Sequence, residues 1–318
     1  MSTATQPIRD AVPELEIALP QRNRALTLLA DYAVLLKARV TSLVVMSAWC
    51  GFYLAAVKAG QPWLGWKLLH SLVAIGLVSG GAAAMNQVIE RDLDARMRRT
   101  AARPVPMQRI TVVQATTIGL AAIFGGVLYL GIACNWLTAI LAASTAAAYL
   151  GAYTPMKRHT PVCTFVGAFP GAMPPVLGWV AARGNVGWEA LALFAIVFAW
   201  QFPHFHSIAW LYREDYERAD IRMLAVIDGD GRATLRQVLG WALVLIPISL
   251  APVWLHLAGR VYLAGAVALG LVFFWAAARL AALKLAPSAP ASKARARQLL
   301  QASVLYLPLL FALMMLNA

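Results

Sequence analysis

The fold is decided by residues 66–106, which read WKLLHSLVAIGLVSGGAAAMNQVIERDLDARMRRTAARPVP. The first 24 residues of this stretch carry one charged side chain, Lys67, whereas eight of the 17 that follow are charged. An α-helix needs about 20 consecutive apolar residues to cross roughly 30 Å of hydrocarbon. The stretch therefore predicts a membrane-spanning helix that ends in a charged segment at the membrane surface.

Further apolar runs of similar length lie on both sides of this helix. They lack the two-residue alternation of apolar and polar side chains that is typical of membrane β-strands. The sequence therefore predicts an all-α integral membrane protein with nine transmembrane helices, near residues 40–57, 66–89, 110–131, 135–153, 161–182, 188–209, 237–256, 260–281 and 298–316.

The composition excludes most soluble classes of protein. Of the 318 residues, 61% are hydrophobic and 13% are charged, whereas a soluble domain has roughly 25% charged residues. The formal net charge is +13, but the basic residues are confined to connectors between apolar runs. Because this arrangement suits an anionic lipid leaflet, we expect a lipid bilayer and not a nucleic acid as the partner.

The basic residues also predict the orientation. If the N-terminus is cytoplasmic, 23 Lys and Arg residues lie on the cytoplasmic side and four lie outside. This distribution follows the positive-inside rule. We expect a cytoplasmic N-terminus, an external C-terminus and a location in a cell inner membrane. Residues 1–30 are expected to form a flexible cytoplasmic tail, and residues 31–318 the transmembrane domain.

Three oxygen-bearing side chains recur every four residues where the charged segment begins. Asn86, Glu90 and Asp94 share one face if the helix continues past the membrane surface. Converging amide and carboxylate oxygens suit Mg²⁺, and the arginines that follow could neutralise a diphosphate. An ordinary charged surface loop remains the alternative. However, the row starts inside the apolar run, where polar groups are usually functional.

This pattern, followed by the RTxxRP sequence from Arg99 to Pro104, resembles the first motif of the UbiA superfamily of intramembrane prenyltransferases. Within the superfamily the chain is most similar to the haem O synthases, from about residue 30 to the C-terminus. The resemblance implies a UbiA-like bundle over residues 31–318. Glu90 stands where the family often has Asp, which affects the local geometry only.

Other short stretches fit the same resemblance. It implies diphosphate contacts for Lys157 and Arg158 in YTPMKRHTP, and a basic entry motif at Lys37 and Arg39, although topology-setting or anchoring charges remain alternatives. The second acidic motif is expected at Asp215, with Tyr216 as a hydrogen-bond donor. Asp220 occupies a position where haem O synthases have glycine in DYxxxGIxML, so we expect Asp215 rather than Asp220 to bind metal.

Two histidines lie near the end of the sixth predicted span, in the sequence WQFPHFHSIAW of residues 200–210. A membrane histidine more often serves packing than ligation. However, His204 and His206 have aromatic neighbours and could form the wall of a flat site in which imidazole binds a haem iron. The resemblance implies that His204 is functionally important, since the PHFH stretch separates haem O synthases from other superfamily members. Axial ligation by His204 is a hypothesis.

The resemblance implies transfer of a farnesyl group from farnesyl diphosphate to a vinyl group of haem B, with addition of water, to give haem O and diphosphate. Mg²⁺ would be the cofactor. The expected protein partners are haem A synthase or the proteins of terminal oxidase assembly. The proposed metal ligands are Asn86, Glu90, Asp94 and Asp215, and the proposed diphosphate contacts are Arg99, Arg103, Lys157 and Arg158. The active site would face the cytoplasm.

Three alternatives remain open at this point. A related enzyme could use a quinone precursor or a chlorophyll-type tetrapyrrole as acceptor. A transporter or channel could also hold polar residues within the membrane, although the acidic groups here cluster at one membrane face. A non-catalytic haem-binding or assembly protein is the third alternative. Its haem spectrum would not change when Glu90 or Asp94 is substituted, whereas an enzyme would lose turnover.

Overall fold

The structure, a computed structural model, describes residues 24–283 and 285–318. Within these residues it contains nine helices that are long and apolar enough to cross a membrane, which confirms the predicted all-α architecture. The helices are α1 (Arg24–Leu35), α2 (Ala38–Lys58), α3 (Trp66–Ile89), α4 (Arg91–Arg96), α5 (Val112–Ala133), α6 (Trp136–Ala147), α7 (Thr154–Met156), α8 (Cys163–Arg183), α9 (Trp188–Leu211), α10 (Arg213–Arg218), α11 (Leu224–Ile227), α12 (Arg232–Ile248), α13 (Ala251–Trp254), α14 (Arg260–Ala281) and α15 (Pro290–Leu316).

Seven of the nine spans are single helices, and the other two combine shorter elements. The fourth span, Trp136–Met156, contains α6, a π-helical segment over Ala148–Tyr153, and α7. The seventh, Arg232–Trp254, contains α12 and α13. Pro252, near the start of α13, lacks the N–H that would continue α12 without a break.

The predicted bounds agree best where a glycine or a charged loop limits the helix. The spans predicted at 66–89 and 260–281 coincide with α3 and α14. The last span was predicted from residue 298, but α15 begins at Pro290, because the KARAR segment continues the helix beyond the apolar run. Lys, Arg and Ala favour helices, and proline is well suited to the first helical position. Likewise α1 includes residues 24–30 of the predicted tail, while residues 1–23 lie outside the described part.

The bundle is organised around α8 and α9. Helix α8 packs against α2 and α9, and α9 packs in turn against α12 and α15, while α3 packs against α5. The α2–α8 crossing is close: a Cβ on Gly51 would lie 1.9 Å from the Pro175 carbonyl oxygen, and one on Gly178 would lie 1.8 Å from that of Ala48. Only glycine allows the backbones to approach this far.

The charged connectors lie together at one end of the bundle. Asp31 of α1 pairs with Arg109 in the connector after α4, at 2.9 Å. Glu214 of α10 pairs with Lys293 at the start of α15, at 2.6 Å. Two of the long helices meet this end in the same way, because α3 and α9 are each followed, after one non-helical residue, by a six-residue helix. These short helices carry the two acidic motifs.

Candidate active site

The three residues of the first acidic motif lie on one buried face. Helix α3 ends at Ile89, yet backbone hydrogen bonds from Glu90 N to Asn86 O (2.9 Å) and from Asp94 N to Glu90 O (2.7 Å) continue the helical register into α4. Asn86, Glu90 and Asp94 are all buried, whereas the side chain of Asp92 is 80% exposed. The four-residue spacing therefore places three oxygen-bearing side chains in a row, with Asp92 outside it.

Each member of this row contacts a cation from a different part of the chain. The ammonium of Lys37 donates to Asn86 Oδ1, that of Lys157 donates to Glu90 Oε1, and the guanidinium of Arg103 donates to Asp94 Oδ2. All three distances are 2.7 Å. The structure thus brings six of the residues singled out in the sequence into one polar cluster. Cationic groups lie beside amide and carboxylate oxygens there, a combination that suits a metal ion and a diphosphate.

The junction between α1 and α2 places Lys37. Its backbone is left-handed, with φ at 46°, which turns the chain between the two helices. Its ammonium also lies 3.4 Å from the Tyr149 hydroxyl. By contrast, Arg39, two residues later, is exposed, and its side chain forms no hydrogen bond or ion pair within the described residues. The structure therefore places Lys37 in the cluster and Arg39 outside it.

The π-helical segment carries aromatic side chains to the same cluster. The centre of the Tyr153 ring lies 4.5 Å from the Lys157 ammonium. The same ring packs against Gly167, where an added Cβ would lie 2.5 Å from the ring carbons. Thr154 accepts a 3.3 Å hydrogen bond from the Asn86 amide. Single turns of π-helix within a longer helix are frequent at functional sites. Arg158, next to Lys157, is exposed.

The second acidic motif joins the two charged connectors. Asp215 is buried and accepts hydrogen bonds from the backbone N–H groups of Arg98 (3.3 Å) and Arg99 (3.4 Å) and from the Arg218 guanidinium (2.8 Å). Desolvation opposes ionisation, but these donors outweigh it and lower the pKa of Asp215. Asp215 is therefore a carboxylate that fixes the loop carrying the first set of arginines.

Arg99 is held by the tyrosines of the second connector. Its guanidinium donates to the Tyr216 hydroxyl at 2.5 Å and lies 4.5 Å from the centre of that ring. It also lies 4.9 Å from the centre of the Tyr212 ring. Because the guanidinium is fixed by stacking and a hydrogen bond, its remaining N–H groups have a defined direction.

Asp220 does not belong to this arrangement. Its side chain is exposed, and its backbone is left-handed, with φ at 54°. Only glycine adopts this conformation without a steric penalty, which gives a physical reason for the glycine expected at this position. The structure therefore places Asp215 at the junction of the two charged connectors and Asp220 outside it, and metal binding by Asp215 stays a prediction.

The donor atoms of the row bear on whether the site suits Mg²⁺. Among the described residues, no three His, Cys, Asp or Glu side chains form a group that could hold a metal ion, so Asp215 is not assembled with Glu90 and Asp94. However, Asp94 Oδ1 is buried without a hydrogen-bond partner. Burial raises the pKa of Asp94, and Arg103 offsets this only in part. A buried, unpartnered carboxylate oxygen beside an amide and a second carboxylate suits a hard cation that prefers oxygen ligands.

The two histidines differ in their surroundings. His204 is half-buried, stacks on Trp200 with ring centres 4.6 Å apart, and has its Nδ1 atom 2.8 Å from Ser303 Oγ of α15. His206 is buried, and its ring forms no hydrogen bond within the described residues. Phe202 stacks on Trp241 at 4.0 Å and belongs to the packing between α9 and α12. Of the two histidines, His204 is the one with a hydrogen-bond partner among the described residues.

Several contacts of the candidate donor and acceptor sites were not predicted from the sequence. These are the contacts of Tyr149, Thr154, Arg218 and Ser303. Tyr149 lies four residues before Tyr153, a spacing that indicates a shared helix face. Ser303 is one of two buried serines in α15, and no sequence pattern distinguishes it from an ordinary packing residue.

Comparison with known proteins gives a consistent family. The model of the UbiA prenyltransferase family matches residues 44–315. The chain is 56% identical over 317 residues to a protein of Koribacter versatilis named protoheme IX farnesyltransferase, covering 100% of this chain and 99% of the relative. It is 46% identical to a protein of the same name from Solibacter usitatus, covering 90% and 98%.

Solved structures agree on the fold at low sequence identity. A structure described as digeranylgeranylglyceryl phosphate synthase superposes with a TM-score of 0.73 at 15% identity, covering 91% of this chain and 98% of that chain. A UbiA homologue from Archaeoglobus fulgidus bound to GPP and Mg²⁺ gives a TM-score of 0.63 at 17% identity, covering 89% and 99%. The described residues contain nine helices that are long and apolar enough to cross a membrane, and the family model matches most of the chain, so the chain belongs to the UbiA prenyltransferase family.

Proposed function

We propose that this chain transfers a farnesyl group from farnesyl diphosphate to a vinyl group of haem B, with addition of water, to give haem O and diphosphate. One observation carries the proposal. A buried row of Asn86, Glu90 and Asp94, each paired with a cation from another element, occurs in a chain whose relatives are named protoheme IX farnesyltransferase.

The donor site uses the row and its cations. Asn86, Glu90 and Asp94 would hold Mg²⁺. Asp215, the ligand expected from the second motif, is not grouped with Glu90 and Asp94 here and would fix the arginine-bearing loop instead. When bound, Mg²⁺ supplies positive charge to the diphosphate oxygens as the allylic C–O bond breaks. Lys37, Lys157 and Arg103 then exchange their contacts with the row for contacts with phosphate oxygens. Charge-assisted hydrogen bonds of this kind are strongest in a dry site.

Two further side chains complete the donor site. Arg99 is directed by Tyr212 and Tyr216 and would bind the diphosphate from the side of the second connector. The exposed Arg158 and Arg39 are weaker candidates for diphosphate contacts, since neither reaches the cluster in this structure. The farnesyl chain would lie between apolar helices, where water does not readily intercept the allylic cation.

The acceptor site is proposed near the cytoplasmic end of α9. His204 would bind the iron of haem B through its free imidazole nitrogen, and Trp200 would support the histidine ring. His206 is a second candidate, buried and without a hydrogen bond in the described part of the chain. An iron ligand would fix one face of the porphyrin, and so decide which vinyl group meets the donor carbon.

A turnover assay tests the proposed reaction. Purified protein in lipid nanodiscs would receive haem B, farnesyl diphosphate and Mg²⁺, and the products would be identified by mass spectrometry. We expect haem carrying a hydroxyethylfarnesyl group, and loss of this product with EDTA. Asp94→Asn should lower turnover by about 10²-fold or more, as expected when a group that stabilises developing charge is lost.

Asp92→Asn is the matched control, because Asp92 lies two residues away in the same short helix but is exposed. Its turnover should stay within about threefold of the unchanged protein, as is usual for surface substitutions. Product from a quinone precursor or a chlorophyll-type acceptor, but not from haem B, would replace the proposed acceptor. Haem binding without any prenyl transfer would favour an assembly protein, and ion flux across vesicles without transfer would favour a transporter.

A further inference from the structure

Resting on the proposed function, we infer that Ser303 of α15 is a positioning residue that sets the tautomer and orientation of His204. In this role Ser303 presents the unprotonated Nε2 atom of His204 to the iron of the haem acceptor. The inference depends on four contacts: two join α9 and α15, one lies within α9 and one lies within α15.

The hydroxyl of Ser303 donates its proton within its own helix. Ser303 Oγ lies 2.6 Å from the backbone carbonyl oxygen of Leu300, three residues earlier in the same helix. A carbonyl oxygen can only accept, so the single proton of the hydroxyl is donated there. Ser303 is fully buried, so no bulk water competes for this proton. The oxygen of the hydroxyl therefore has lone pairs left, but no proton, for any other partner.

The imidazole of His204 shares a hydrogen bond with the same hydroxyl oxygen. His204 Nδ1 lies 2.8 Å from the same Oγ. Since the hydroxyl proton is already used, Nδ1 must be the donor and must carry the ring proton. A neutral imidazole has one protonated nitrogen, so Nε2 keeps its lone pair. Within the described residues Nε2 has no hydrogen-bond partner, and this lone pair is available to a ligand outside the protein.

The plane of the His204 ring is set by Trp200. The indole of Trp200 stacks on the imidazole with centres 4.6 Å apart and 21° between the planes. Trp200 is itself fixed, because its Nε1–H donates to the backbone carbonyl of Ser303 at 2.8 Å. One residue of α15 thus holds both rings, His204 through its hydroxyl and Trp200 through its carbonyl. A hydrogen bond to the distal nitrogen is the usual way in which a protein orients a histidine ligand.

The experiment measures haem binding directly. Ferric haem B would be titrated into nanodisc-bound protein, and the dissociation constant and the absorption spectrum would be recorded for the unchanged protein, His204→Ala and Ser303→Ala. We expect His204→Ala to abolish the histidine-ligated spectrum. Ser303→Ala should weaken haem binding by about 10- to 100-fold, the usual effect of losing the hydrogen-bond partner of a histidine ligand.

Ser292→Ala provides the matched control. Ser292 is also buried in α15 and also bonds to α9, accepting from Trp210 Nε1 at 2.9 Å, but it does not contact either histidine. Its substitution removes a comparable buried hydrogen bond between the same two helices. Haem affinity and spectrum should therefore stay unchanged in Ser292→Ala. Equal effects of the two alanine substitutions would overturn the inference.

A pair of variants of equal shape separates the hydroxyl from packing. Ser303→Thr keeps an acceptor oxygen and Ser303→Val does not, while both add similar bulk. We expect Thr to restore the histidine-ligated spectrum and Val to lack it. If both behave alike, Ser303 has no positioning role.

Product formation, measured in parallel, distinguishes failure of the inference from failure of the proposed function. Farnesylated haem produced by a His204→Ala protein of unchanged haem affinity would overturn the inference alone. Absence of the product from unchanged, folded protein would overturn the proposed function.

Discussion

At the scale of single residues, Lys157 and Arg158 are adjacent cations with different surroundings. Lys157 is half-buried, pairs with Glu90 at 2.7 Å and lies over the Tyr153 ring, whereas Arg158 is exposed. Lys157→Ala removes a cation from the proposed diphosphate site and leaves the buried Glu90 carboxylate uncompensated. We expect its kcat/KM for farnesyl diphosphate to fall by about 10²-fold.

Arg158→Ala is the control for this prediction. The exposed side chain has no partner among the described residues, so its removal should change kcat/KM by less than about threefold. Thermal unfolding in detergent would show whether either variant is simply unstable. An equal loss of activity in both would mean that the two cations act through the charge of the membrane surface and not through the contact with Glu90.

Substitution of Asp220 is expected to stabilise the protein. Its left-handed backbone, with φ at 54°, is strained for a side chain that makes no hydrogen bond or ion pair in the described part of the chain. Asp220→Gly should relieve this strain and stabilise the protein by up to about 1 kcal/mol, with turnover unchanged. Differential scanning fluorimetry and the turnover assay would measure both. A loss of turnover comparable to that of Asp94→Asn would instead make Asp220 a ligand.

The residue scale also shows how far the sequence could predict the site. The row from Asn86 to Asp94 was predictable because its four-residue spacing coincides with the pitch of a helix. The choice of Asp215 over Asp220 depended on a resemblance, and the structure adds the backbone reason. The pairings with Lys37 and Lys157 were not predictable from helical periodicity, because they join residues 49 and 67 positions apart.

At the scale of helices, α2 and α8 cross closely at Gly51 and Gly178. Gly51→Ala would place a methyl group 1.9 Å from the Pro175 carbonyl oxygen, which is backbone and cannot move aside. We expect this substitution to destabilise the protein by about 3 kcal/mol or more, at the upper end of the overpacking range. Its effect should appear as a lower midpoint of thermal unfolding in detergent.

Gly125 in α5 is the matched control, because a Cβ there would meet no atom within 4 Å. Gly125→Ala should be neutral or stabilise the protein by up to about 1 kcal/mol through higher helix propensity. If Gly51→Ala is tolerated as well as Gly125→Ala, the two helices do not cross as closely as described.

Hydropathy predicted the nine spans but not the irregular elements within them. Apolar length alone identifies a membrane helix, since every lipid-exposed backbone group must be hydrogen-bonded internally. The π-helical segment over Ala148–Tyr153 shifts the side chains that follow it by a fraction of a turn, and such a shift leaves no trace in mean hydropathy. This segment carries Tyr149, which contacts Lys37, and leads to Lys157, which contacts Glu90, so the geometry of the site depends on a feature that hydropathy does not report.

At the scale of the whole molecule, the polar contacts join distant parts of the chain at one end of the bundle. Asp31 contacts Arg109, Glu90 contacts Lys157, Asp215 contacts Arg218 and two backbone N–H groups near residue 98, and Glu214 contacts Lys293. Five segments separated by membrane helices thus share one surface. The same segments hold most of the 23 basic residues that the positive-inside pattern assigns to one side.

This arrangement leads to a prediction of topology. If all nine candidate spans of the described residues cross the membrane, their odd number puts the two ends of the described chain on opposite sides. Because the basic end attracts the anionic cytoplasmic leaflet, we propose that the active site faces the cytoplasm of a bacterial inner membrane and that the C-terminus lies outside. Alkaline phosphatase fused after Ala318 should therefore be active, whereas green fluorescent protein fused there should not fluoresce. Fusions after Met107, in the basic connector, should give the opposite pair of results. A fluorescent protein at the C-terminus would place the row from Asn86 to Asp94 on the outer face and would contradict the proposed orientation.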